Sequence, residues 1–165
     1  MSIIITILLT FLATSLFGHV EHFALHQPWS GKVNVAHMAH HQKLYPSSNY
    51  LSDVYRDAGK DSTPKFFAVA ALPLVLAPII LCLVGVIPWT IMVAILVVEL
   101  VQGFLHNYLH DAFHIRGHWL YRVPVVRNWF ARWVKLHYLH HVNMQTNFGI
   151  FTFHWDKLLG TYWRE

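Results

Sequence analysis

"FFAVAALPLVLAPIILCLVGVIPWTIMVAILVVELVQGFL", residues 66–105, contains one charged side chain, Glu99. At 1.5 Å rise per residue, about 40 residues suffice for two crossings of a hydrocarbon layer about 30 Å thick. Gly85 to Pro88 interrupts the stretch near its middle, so the sequence predicts a helical hairpin with spans 66–84 and 89–105. Pro73 and Pro78 fall inside the first helix, where they kink it and where neighbouring helices can satisfy the freed backbone groups. A third uncharged stretch, 2–18, is near the lower limit of a span. It reads as a retained helix: no basic segment precedes it and histidines begin at its end, although "ATS" at 13–15 has the small residues of a leader-cleavage site.

Composition supports the same class. With 55% hydrophobic, 15% aromatic and 12% charged residues, the chain is too apolar for a typical soluble domain. The expected fold is all-α: an integral membrane helical bundle of about three spans, capped by a histidine-rich helical lobe, forming one domain over 1–165. Pro46 to Thr63 is the one long loop-like composition.

All 12 Lys and Arg precede the hairpin, between Gly18 and Lys65, or follow Leu105; none lies in the Gly85–Pro88 turn. If the first span ends where the first polar block begins, both basic blocks share one face. The positive-inside rule makes that face cytoplasmic, in a bacterial inner membrane or the endoplasmic reticulum. Contact with anionic lipid head groups then explains the net charge of +4 without nucleic acid. The lone Cys82 excludes an intramolecular disulfide and any C-x-x-C metal site.

The 14 histidines all lie in those two blocks, and H-x-x-H-H occurs twice, as "HMAHH" at 37–41 and "HYLHH" at 137–141. Random placement would give that pattern roughly 0.1 times. On a helix, His22 and His26 are i and i+4, as are His106 with His110 and His110 with His114. His37, His40 and His41, and again His137, His140 and His141, are i, i+3 and i+4, so their rings share a face. A cluster of this size is unfavourable as imidazolium, whereas neutral imidazole suits Fe, Zn, Cu or Ni. With three or four ligands per site, eight to eleven ligating histidines imply two ions. Carboxylates are scarce nearby, only Glu21 and Asp111, which separates the pattern from Glu-rich soluble di-iron bundles.

The chain resembles the fatty acid hydroxylase superfamily of integral membrane proteins, which includes fatty acyl and sphingolipid hydroxylases, sterol oxidases and desaturases and, more distantly, carotenoid hydroxylases. The resemblance rests on "HFALH", "HMAHH", "HNYLH" or "HDAFH", "HYLHH", "NFG" at 147–149 and "WDKLLGT" at 155–161, in that order. It implies metal ligands at His22, His26, His37, His40, His41, His137, His140 and His141. For the third box, fatty acyl hydroxylases favour His106 with His110. The spacing of His110 to His137 looks more like carotenoid hydroxylases, favouring His110 with His114. All three are kept as candidates.

The implied activity is O2-dependent hydroxylation of a lipid C–H bond, in a fatty acyl chain, sphingolipid or sterol, by two iron ions, zinc being possible in isolated protein. Carotenoid hydroxylation and desaturation are alternatives within the superfamily, and a non-redox zinc hydrolase is the alternative outside it. No G-x-G-x-x-G motif is present, so electrons must come from a partner such as a cytochrome b5, a ferredoxin or a related reductase. Arg116, Arg122, Arg127, Arg132 and Lys135 either dock that donor or anchor the lobe to the membrane with Trp119, Trp129 and Trp133. A homo-oligomer could complete a bundle this small. His19, His118 and His154 lie outside the boxes and read as interfacial or hydrogen-bonded. Glu21 and Asp111 could orient imidazole N–H groups, Asn147 and Gly149 could form a close backbone approach to the site, and Glu99 could face a substrate cavity or pair with Gln102.

Overall fold

The computed structural model describes residues 2–56 and 69–164. Among these are six α-helices: α1 (Ile3–Leu25), α2 (Lys32–Ala39), α3 (Leu72–Leu83), α4 (Trp89–Phe113), α5 (Arg127–Val142) and α6 (His154–Leu159). No strand occurs among the described residues, only a single parallel bridge between Ser52 and Ile115.

α1 and α4 are each long and apolar enough to cross a membrane. Their outer surfaces are aliphatic and open: Ile4 is 70% exposed and Phe104 68%. Such a surface is a liability in water and costs nothing in hydrocarbon. The two helices run side by side in the same direction, since the Gln102 side-chain amide donates to the Phe11 carbonyl at 3.3 Å and Gly18 lies against the His106 ring. A Cβ at Gly18 would stand 3.3 Å from His106 Nδ1, so glycine permits the close approach. α3 packs back on α4 across the turn at Gly85, whose φ of 76° favours glycine. The C-terminal ends of α1 and α4 therefore emerge together, at the end away from that turn.

The helices differ from the expected spans in length. α1 continues past Gly18 to Leu25, and α4 past Leu105 to Phe113, so each carries apolar and histidine segments as one rigid rod. The expected first hairpin helix, 66–84, is described only from residue 69, and its continuous part is Leu72–Leu83. Pro73 sits in its first turn, where a missing N–H costs nothing, so the helix starts there rather than being kinked by it. At about 18 Å, α3 is too short to span the layer alone. Residues 66–68, and the 57–63 part of the expected loop, lie outside the described residues.

The lobe is built on α5. Phe130, Val134, His137 and His141 follow at steps of four, three and four, so one buried stripe begins apolar and ends in histidine. Its apolar part packs with Tyr50, Leu109, Ala112, Phe113 and Ile150. Anchored through Leu109, Ala112 and Phe113, the stripe places the His137–His141 end of α5 beside the end of α4.

Candidate metal centre

Helix ends supply most of the site. His22 lies in the last turn of α1 and His26 caps it; His37 lies in the last turn of α2; His110 lies in the last turn of α4 and His114 caps it; His137, His140 and His141 lie in the last turns of α5. After α2 the chain widens into a π-turn over His40–Leu44, closed by the Tyr45 N–H donating to the His40 carbonyl at 2.8 Å. Such turns are uncommon and are found mostly at functional sites.

The rings form two groups. His22, His26, His37, His41 and His140 make one, and His40, His114, His137 and His141 the other; within each, one ring nitrogen per residue lies within 4.8 Å of the rest. In the first, Nε2 of His37 is 3.0 Å from that of His26 and 3.1 Å from that of His41, and Nε2 of His26 is 3.1 Å from that of His140. In the second, Nε2 of His114 is 3.1 Å from that of His40 and 3.3 Å from that of His137. Nitrogens at adjacent corners around one ion, each about 2.0–2.1 Å from it, stand about 2.9–3.4 Å apart. Each H-x-x-H-H is split: the i and i+4 rings go to one group and the i+3 ring to the other, in opposite senses for the two copies.

Backbone carbonyls set the tautomers. Nδ1–H of His22 donates to Phe148 O at 2.7 Å, of His140 to Thr146 O at 2.6 Å, of His141 to Tyr45 O at 2.7 Å and of His114 to Tyr50 O at 3.2 Å. A carbonyl can only accept, so each of these Nδ1 atoms carries the proton and each Nε2 in the neutral ring presents a lone pair to the cluster. For His22 and His141 that buried Nε2 has no hydrogen-bond partner. Burial, reinforced by neighbouring imidazoles, holds His37, His41, His137, His140 and His141 well below the ordinary imidazole range. Burial alone brings His26 down to about 4. Neutral rings with inward, orphaned lone pairs fit a pair of cations, and an all-imidazole donor set suits a transition metal.

The C-terminal loop supplies the carbonyls that orient His22 and His140. Asn147 has a left-handed φ of 53°, held by its side chain, which donates to Leu136 O and Trp163 O and accepts from Trp163 N–H. The buried Asp156 carboxylate accepts from Phe148 N–H at 2.7 Å, Gly149 N–H at 2.9 Å and the Thr161 hydroxyl at 2.8 Å. A Cβ at Gly149 would lie 2.0 Å from Thr152 O. "NFG" and "WDKLLGT" thus form one clamp, whose output is the Phe148 carbonyl that orients His22.

Of the other sequence candidates, His110 and His106 fall in neither group. The His110 ring centroid is 4.8 Å from His40 and 5.0 Å from His137, its Nε2 is buried without a hydrogen-bond partner, and its Nδ1 lies 3.7 Å from Asp111. His106 sits a turn away against Gly18. His19 stands 3.6 Å from Asp156, and His118 contacts the Tyr108 hydroxyl at 3.2 Å. Glu21 orients no imidazole, since neither of its oxygens has a hydrogen-bond partner. The sequence reading did not find Tyr45, whose carbonyl fixes His141 and whose ring stacks on His114 at 4.0 Å. Its only trace in the sequence is its position just after the second box.

The Fatty acid hydroxylase family model matches residues 7–161. No curated protein and no solved structure matches the chain. The match covers every histidine in both groups and both halves of the Asp156 clamp, and on that ground the chain belongs to the fatty acid hydroxylase family.

Proposed function

We propose that this protein is a membrane oxygenase that hydroxylates a C–H bond of a lipid with O2, using two iron ions. The family supports lipid hydroxylation in general. The observation that carries the reading is the pair of buried imidazole groups, with orphaned lone pairs, at the common end of two helices long and apolar enough to cross a membrane. In this reading His22, His26, His37, His41 and His140 hold one ion. His40, His114, His137 and His141 hold the other, and His110 completes that second set. Bound iron would supply the redox chemistry that an unactivated C–H bond demands and that side-chain acids, bases and nucleophiles do not offer. The chain's own contribution is to keep the imidazoles neutral, aim them through backbone carbonyls and present the lipid from the membrane side.

Each turnover needs two electrons and two protons beside O2, and yields the alcohol and water. A protein donor delivers those electrons, docking on the basic residues Arg116, Arg122, Arg127, Arg132 and Lys135, and the histidine end faces the cytoplasm. Within the same chemistry, a carotenoid substrate is the second reading. It is favoured by His114 grouping with His40, His137 and His141, with His110 beside them and His106 outside.

Metal analysis of protein from anaerobically prepared membranes is expected to give iron near two per chain. Labelled lipid extracts supplied with O2 and a generic donor should gain one oxygen by mass. Zinc alone with full activity would overturn the reading.

A further inference from the structure

Between α1, α3 and α4 lies a cavity of about 430 Å³, within the range of small-molecule sites. Its walls are mostly apolar, and Gly18, Glu21, His106 and Gly149 line it, whereas none of the histidines of either group does. Glu21 precedes His22 in sequence, and Gly149 follows the residue whose carbonyl orients His22. Glu21 is 5% exposed, neither of its carboxylate oxygens has a hydrogen-bond partner, and it belongs to neither histidine group. A buried carboxyl with both oxygens unsatisfied is expensive, and here it lines a space large enough to hold whatever satisfies it. Farther along α4, about 10 Å from His106, Glu99 lines the same cavity and leaves Oε2 without a partner. Among the described residues, no Lys or Arg lines it.

We propose that the cavity selects a lipid bearing an uncharged hydrogen-bond donor, a hydroxyl or an amide N–H, which Glu21 receives next to the metal centre. The inference rests on the oxygenase reading for its purpose and narrows the substrate class. A free carboxylate or phosphate would bring a charge into a mostly apolar cavity beside two carboxyl groups, where no Lys or Arg among the described residues compensates it. A plain hydrocarbon would leave Glu21 unsatisfied. A hydroxyl or amide donates to the carboxyl group in either of its protonation states, because each keeps an acceptor oxygen.

The test is displacement of a radiolabelled long-chain alcohol from purified whole protein in detergent, without O2 or electron donor, by the matched alcohol, primary amide, carboxylic acid and alkane. Alcohol and amide are expected to bind at least about tenfold tighter than acid and alkane. Glu21→Leu should bring the alcohol-to-alkane ratio close to one, and Glu21→Gln, which keeps an acceptor oxygen, should retain most of it. Equal binding of all four probes, or preference for the acid, overturns the subsite on wild-type protein alone. An unchanged ratio in Glu21→Leu overturns it as well. Because binding is read without turnover, a preference with no oxidation of any lipid would sink the oxygenase reading and leave the subsite standing, whereas oxidation without the preference would do the reverse.

Discussion

At the scale of single residues, the decisive fact is that both nitrogens of an imidazole are used. His140 gives Nδ1–H to Thr146 O and turns Nε2 to within 3.1 Å of His26. Under the two-metal reading, His140→Ala removes a ligand and its anchoring carbonyl contact together. Product formation should fall by about 100-fold or more, given that outer-shell losses alone reach that range, while the protein still inserts; undiminished turnover would refute the assignment. The metal-free protein should also lose stability in acid. Burial holds His26 at about 4 in the fold, against 6.5 when free. On acidification the unfolded chain binds protons first, so stability present above about 6.5 drains away as the pH falls toward 4. Thermal unfolding of metal-free protein in detergent should show Tm falling across that window, and a rising Tm would contradict the neutral-cluster account.

At the scale of elements, the C-terminal loop acts on the first group through the Phe148 and Thr146 carbonyls that orient His22 and His140. Asp156→Ala would leave two backbone N–H groups and the Thr161 hydroxyl without their acceptor, at a cost of about 2–4 kcal/mol. Asp156→Asn keeps one acceptor oxygen and should cost less. The predicted order of Tm is wild type, Asp156→Asn, Asp156→Ala; equal Tm for all three would show that the clamp carries no weight. Gly149→Ala should be as damaging as Asp156→Ala, since backbone rather than a flexible side chain stands 2.0 Å from the added carbon. The helices were legible in sequence where the chain is continuously apolar, as in 89–105. Their ends were not, because polar histidine ends the apolar run, whereas α1 and α4 run on through it. The π-turn at His40–Leu44 was not legible either, since nothing in "HHQKL" marks a widened turn.

At the scale of the molecule, α1 and α4 run parallel and α3 returns between the ends, so the Gly85–Pro88 turn and the histidine lobe lie at opposite ends. In a Cys82→Ser background, a membrane-impermeant thiol reagent applied from outside should label Val86→Cys and spare Leu158→Cys, both exposed positions. Labelling of both from one side would contradict the transmembrane arrangement. The sequence by itself determined the class of the protein and the residues that could bind metal, because apolar length and histidine spacing are local properties of the chain. Tertiary structure alone decided how those histidines divide. On one helix, positions i, i+3 and i+4 share a face, with i+4 about 40° to one side of i and i+3 about 60° to the other, yet which group receives which ring depends on the partner helix opposite it. Thus His37 and His41 meet His140 on one side, His137 and His141 meet His40 on the other, and His114, not His106, joins the second group.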